Sequence, residues 1–115
     1  MTKESWSRIP SEQLNPLVKR QALHTENMTV ARLVLLQGAV VPTHHHENEQ
    51  ITTIERGRLK FSFPDHEVVV EAGDMLPIPP HVPHSVEALE DSVAVDLFAP
   101  RREDWIRGDD AYLRR

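Results

Sequence analysis

The sequence predicts an all-β fold, a closed barrel of short strands, and three observations lead there. Between Leu17 and Phe98 the apolar residues come in short runs broken by turn residues about every eight to twelve positions, the rhythm of a sandwich or barrel. Helical spacing is hard to find over the same stretch. The length, 115 residues, suits one compact domain, since two separate cores would each bury too little surface.

Val18 to His24 and Met28 to Leu36 read as two strands of a hairpin joined across Thr25, Glu26 and Asn27, with β-branched and leucine residues filling the second. Ile51 to Glu55 and Leu59 to Phe63 flank the turn Arg56, Gly57 and Arg58. Glu67 to Glu71 follows the turn residues Pro64, Asp65 and His66. Met75 to Ile78, His84 to Leu89 and Ser92 to Phe98 complete the set, with Glu90 and Asp91 as a tight turn. Beyond Pro100 the composition changes to RREDWIRGDDAYLRR, which lacks strand alternation. The expectation is a single domain over 1–115, with a barrel core at about 17–100 and a C-terminal flap over 101–115 that forms one helical turn and then frays.

The 18 acidic residues outnumber the 13 basic ones, a formal charge of -5 that works against nucleic acid or anionic lipid as a partner. A small molecule is the expected partner. No cysteine is present, which excludes disulfides, thiolate metal sites and cysteine nucleophiles. The N-terminus has no apolar run fit for a signal-peptide core and no stretch approaches the ~20 apolar residues of a membrane span, so a cytoplasmic location is expected.

Gly38, His44, His46, Gln50 and Gly57 give the spacing G-x5-H-x-H-x3-Q-x6-G. Residues two apart on an extended chain share a face, so His44 and His46 can aim at one point while His45 faces away, and Gln50 has the same parity. Two converging imidazoles plus a third form a plausible divalent-metal site, and His84 is the candidate third. The run Pro77, Ile78, Pro79, Pro80, His81, Val82, Pro83 stiffens the approach to His84, so little backbone freedom is lost on binding. The competing reading makes the histidines surface residues of a solvated loop, and the combined spacing weighs against it.

These residues resemble the two motifs of the cupin superfamily, G-x5-H-x-H-x3,4-E-x6-G and G-x5-P-x-G-x2-H-x3-N. Gln50 stands where the first motif has glutamate. Gly73, Pro79 and His84 keep the second, with His81 at the usual glycine and Ala88 at the usual asparagine. The resemblance implies a jelly-roll barrel, or double-stranded β-helix, that often dimerises, so a homodimer is expected. It also implies that His44, His46, Gln50 and His84 hold one divalent ion per chain, with nickel, zinc, manganese, iron and copper all compatible with imidazole and amide donors. An amide in place of a carboxylate leaves the donor set neutral and the ion more Lewis acidic, which favours anionic ligands. The alternative, Gln50 merely packing beside three histidines, stays open.

The last strand alternates Val93, Val95 and Leu97 on one face with Ala94, Asp96 and Phe98 on the other. If the Glu90–Asp91 turn pairs this strand with that of His84, Asp96 and Phe98 project inward near the metal, and a buried Asp there is a proton-transfer candidate. A salt bridge of Asp96 with Arg101 or Arg102 is the alternative. The segment VDLFAPRREDW, following a three-His, one-Gln site, resembles the KdgF group of pectin- and alginate-degradation cupins. That resemblance implies Asp96, Phe98 and Arg102 as functional residues, and an isomerase-type activity that converts 4,5-unsaturated monouronates to linear keto-aldehydes. In that scheme Arg102 clamps the substrate carboxylate; without it, Arg102 reads equally as a solvated charge. A cupin polyketide cyclase, an oxygenase if iron or copper binds, and a non-catalytic sugar- or metal-sensing cupin are the rival readings.

Overall fold

The computed structural model describes residues 1–115. A 3₁₀ turn at Trp6–Arg8 precedes strands β1 (Glu12–Asn15), β2 (Val18–His24), β3 (Thr29–Leu35), β4 (Val40–His44) and β5 (Glu49–Arg56). There follow β6 (Arg58–Ser62), β7 (Glu67–Glu71), β8 (Met75–Ile78), β9 (His84–Ala88), β10 (Ser92–Ala99), helix α1 (Glu103–Ile106) and a second 3₁₀ turn at Ala111–Arg114. All pairings are antiparallel, in a six-stranded sheet ordered β1-β2-β3-β10-β5-β8 and a four-stranded sheet ordered β4-β9-β6-β7. This is the expected jelly roll.

The two sheets face each other and bury one face of each strand. In β3 the alternation is complete: Thr29, Ala31, Leu33 and Leu35 are buried, with the residues between them half-buried. Leu59, Phe61, Val70 and Val86 supply the opposing layer. Tight turns set the register. In the β2–β3 hairpin Thr25 N–H donates to the Met28 carbonyl at 2.8 Å. Between β5 and β6, Gly57 adopts φ +88°, and a Cβ there would stand 2.4 Å from the Asp91 carbonyl oxygen. Only glycine meets both demands without displacing the chain.

The expected pairing of β9 with β10 does not occur. β9 is flanked by β4 and β6 in the small sheet, and β10 by β3 and β5 in the large one. The short Leu89–Asp91 connection turns the corner from one sheet to the other, because both edges of each strand are already taken. Asp96 still points inward, now from the wall opposite His84. Two strands were not anticipated. β1 is four mostly polar residues with Leu14 alone buried, too short for alternation to register, and β4 carries Pro42, which an edge strand tolerates.

The C-terminal segment does form its helical turn, but it does not fray. Trp105, Asp110 and Leu113 are buried, and Asn15 Nδ2 donates to the carbonyls of Leu113 and Arg115 at 3.1 and 3.2 Å. Arg20 on β2 pairs with Asp110 at 2.8 Å, with both side chains under 5% exposed. The residues that anchor this strap mix apolar, polar and charged side chains without a period, so nothing in the pattern marked them as core.

Candidate metal centre

His44 ends β4 and His84 opens β9, and the two are register partners. His46 lies in the loop that leads to β5. Their ligating nitrogens lie within 4.8 Å of one another, a grouping able to hold a metal ion. Each ring uses Nδ1 on a backbone carbonyl two residues away: His44 on Pro42 at 2.8 Å, His46 on Asn48 at 3.1 Å, His84 on Val82 at 2.8 Å. A carbonyl only accepts, so His44 and His84 carry the proton on Nδ1 and present a bare Nε2 lone pair, whereas His46 faces an oxygen at each ring nitrogen. Burial pushes the His44 ring down to about 3 and His46 to about 4, and holds His84 below its ordinary range. All three are therefore neutral at neutral pH, the form of an imidazole that can bind a metal.

Gln50 reaches the same point, but not by parity along one strand. It belongs to β5 of the large sheet, whereas His44 sits on the small sheet, and the loop between them breaks the extended path. Gln50 Oε1 stands 3.0 Å from His46 Nε2. In the tautomer with the His46 proton on Nδ1, that Nε2 and the amide oxygen are two adjacent acceptors that a shared cation would satisfy. The donor set thus fits a divalent ion: three imidazoles and an amide oxygen with no carboxylate.

The amide's other end is also committed. Gln50 Nε2 donates to Thr52 Oγ1 at 2.9 Å, and the Thr52 hydroxyl donates to Asp96 Oδ1 at 2.7 Å. Register explains the relay, because β5 and β10 set Thr52 opposite Asp96 and Gln50 opposite Phe98. Burial raises the Asp96 carboxyl to about 6, only partly offset by the Thr52 hydrogen bond and the positive charge of Arg102. Asp96 lines a cavity of about 50 Å³ together with His44, Gln50, His84, Phe98 and Arg102. It forms no salt bridge with its arginine neighbours: Arg101 pairs with Glu103 at 2.6 Å and Arg102 with Asp104 at 2.7 Å.

Arg102 is not a solvated charge. The residue is 1% exposed, and its guanidinium lies 4.7 Å from the Phe98 ring centre and 4.3 Å from that of Trp105, whose ring also carries Arg20 at 4.5 Å. Three further residues of the site went unnoticed in the sequence. Thr52 shares a strand face with Gln50 and could have been found by that spacing. Trp105 and Tyr112 lie in the aperiodic tail; the Tyr112 ring stacks on His44 at 4.6 Å and its hydroxyl meets Arg102 Nη2 at 2.6 Å.

His81, at the motif's glycine position, has φ +68°, and its N–H donates to the His46 carbonyl at 2.8 Å. A left-handed conformation costs a side-chain-bearing residue about 1–2 kcal/mol, against about 0.5–1 kcal/mol of chain entropy for glycine. His81→Gly is therefore expected to raise the unfolding free energy by about 0.5–1 kcal/mol in urea titration; a fall would show that the imidazole makes a contact worth more than the strain.

Comparison with known proteins agrees with this geometry. The family described as Cupin domain matches residues 31–99. Among solved structures, KdgF from Halomonas sp. superposes with a TM-score of 0.79 at 29% identity, covering 86% of this chain and 94% of that one. An RmlC-like cupin from Shewanella frigidimarina gives 0.82 at 25% identity, covering 89% and 93%. Oxalate decarboxylase of Bacillus subtilis, a protein with Mn(II) centres, gives 0.77 at 21% identity over 84% of this chain and 29% of that one, a likeness of fold. No curated protein matches the chain.

Proposed function

The chain belongs to the cupin domain family, and from that premise we propose that it is a metal-dependent enzyme opening the ring of 4,5-unsaturated monouronates to linear keto-aldehydes. The observation that carries this reading is the placement of Asp96, a carboxyl raised to about 6 by burial, in one cavity with His44, His84 and Gln50. The likeness to KdgF at 29% identity points the same way. A divalent ion held by His44, His46, His84 and Gln50 would supply a fixed positive charge for a developing oxyanion.

The chain's own groups account for the proton traffic. In the cyclic sugar the ring oxygen is both a hemiacetal and an enol-ether oxygen. Asp96 accepts the proton of the C1 hydroxyl; the C1 carbonyl forms, the bond from C1 to the ring oxygen breaks, and its electron pair leaves on that oxygen as an enolate. The same proton returns at C4, giving the C5 ketone. No redox step is needed, and a base with a pKa near neutrality suits both halves of the transfer. Thr52 holds the carboxyl in place through its 2.7 Å hydrogen bond. Phe98 shapes the pocket, and Arg102 receives the substrate's carboxylate.

The test is NMR with freshly generated unsaturated galacturonate and the alginate-derived uronate, following loss of the C4 vinyl proton against a no-enzyme control. Metal-loaded protein that fails to outpace that control on either sugar overturns the reading and promotes the cyclase or sensor alternatives. Charge is separately testable. Gln50→Glu is expected to retain or tighten metal binding yet slow turnover, because an added negative charge offsets the cation that favours the enolate. Metal content and rate should therefore part company; equal rates for the two proteins would make the neutral donor set incidental.

A further inference from the structure

The Arg102 guanidinium is walled in by rings on both faces, and one edge of it is already filled. Nε donates to Asp104 Oδ1 at 3.0 Å and Nη2 to Asp104 Oδ2 at 2.7 Å, the two-pronged grip that a planar guanidinium gives a carboxylate. The second Nη2 hydrogen goes to the Tyr112 hydroxyl. Nη1 alone has no protein partner, so an acid gripped with two prongs has to take the place of one the protein supplies at Nε or Nη2.

Asp104 is placed for such an exchange. Its side chain is 27% exposed, against 2% for Arg102. It lines an open polar cleft of about 330 Å³, together with His45, His46, Glu47, Asn48 and Arg107, within the size range of small-molecule sites. His46 borders this cleft and is also one of the clustered histidines, so the cleft reaches the metal centre's edge. The inner cavity, at about 50 Å³, has room for a few waters. A carboxylate arriving through the cleft meets Asp104 before Arg102.

We propose that Asp104 is an internal stand-in for the substrate's carboxylate, holding the Arg102 fork until an incoming acid displaces it. This rests on the reading of Arg102 as the carboxylate-binding residue. Leaving a guanidinium so deeply buried without an anion is costly, and replacing one carboxylate with another keeps the charge balanced throughout. Released Asp104 turns into the solvated cleft, where Arg107 lies three residues further along the helical turn. A neutral sugar has nothing to repay the broken ion pair. The exchange therefore selects acids over their neutral counterparts by leaving the wrong ligand with an unpaired buried charge.

The experiment uses D-galacturonate, which is saturated and cannot react, and D-galactose as its neutral counterpart, with metal-loaded full-length protein. Tryptophan occurs at Trp6 and Trp105, so in a Trp6→Phe background the fluorescence reports the ring stacked on Arg102. Galacturonate is expected to change that signal saturably and galactose to leave it flat, while Asp104→Asn tightens galacturonate binding about tenfold by removing the competitor. Equal or weaker binding by Asp104→Asn, equal binding of galactose, or no galacturonate binding by either protein overturns the proposal. Should Asp104→Asn not fold, the Arg102 Nε–Hε NMR signal of the protein with native Asp104 decides: it shifts with galacturonate if the fork changes partners, and a signal that stays fixed overturns the exchange. Neither measurement reads turnover, so failure of the exchange and failure of the ring-opening reaction are seen separately.

Discussion

Asp96→Asn is expected to slow ring opening by about 10²–10⁴-fold while the protein keeps its full complement of metal. The amide preserves the shape of the side chain and its hydrogen bond with Thr52, which can rotate to suit. It cannot accept the C1 hydroxyl proton. Elemental analysis should show unchanged stoichiometry, since Asp96 is not among the clustered nitrogen ligands. The pH dependence gives an independent check. Burial raises the carboxyl to about 6, so the fraction in the base form, and with it kcat/KM, should fall as pH drops through that region. A bound divalent cation favours the ionised form, placing the acid limb at or below about pH 6 in the loaded enzyme. Asp96→Asn should lose this limb. A variant that retains both rate and limb would remove Asp96 from the chemistry and return it to a structural role beneath Thr52.

His84→Ala should strip most of the metal and, with it, the stability that the metal confers. The remaining nitrogens, on His44 and His46, belong to a strand end and a loop, and without His84 no imidazole from the second motif closes the group. A ligand that binds only the native state at about a thousand times its dissociation constant adds about 4 kcal/mol, corresponding to about 10 °C or more in Tm for a domain of this size. The native-sequence protein should therefore melt about that much lower after chelation, whereas His84→Ala should melt at the same temperature with or without chelator. Comparing loaded and stripped samples of each protein separates this effect from the packing lost with a side chain that is 1% exposed. Undiminished metal in His84→Ala would overturn the ligand assignment.

Much of the barrel was legible because its causes are local. Val18–His24, Glu67–Glu71 and Met75–Ile78 fall where alternation and turn residues place them. The histidines were legible through spacing. What escaped depends on partners far along the chain. Thr52 matters because it faces Asp96, 44 positions away, and no pattern within either strand fixes that register. The neighbours of β9 and β10 were misjudged for the same reason: a short connection looks like a hairpin, and only competition for strand edges turns it into a corner between sheets. The C-terminal segment misled differently. Its charged and aromatic residues, lacking strand alternation, read as a helical turn that frays, yet ion pairs and ring stacking bury or half-bury Arg102, Trp105, Asp110 and Tyr112 where apolar alternation would normally do so.

The hydrogen bonds that orient the three imidazoles all end on main-chain carbonyls, and this affects how freely the surrounding sequence can drift. Every amino acid supplies a carbonyl, so side chains at positions 42 and 82 can be exchanged over generations without altering the basicity or aim of His44 and His84. Position 48 is less free, because the Asn48 side chain also donates to the carbonyls of Pro100 and Arg101 and so ties the His46 loop to the start of the strap. Homologues should accordingly vary at 42 and 82 more than at 48, with the histidines keeping their chemistry while the sequence around them changes.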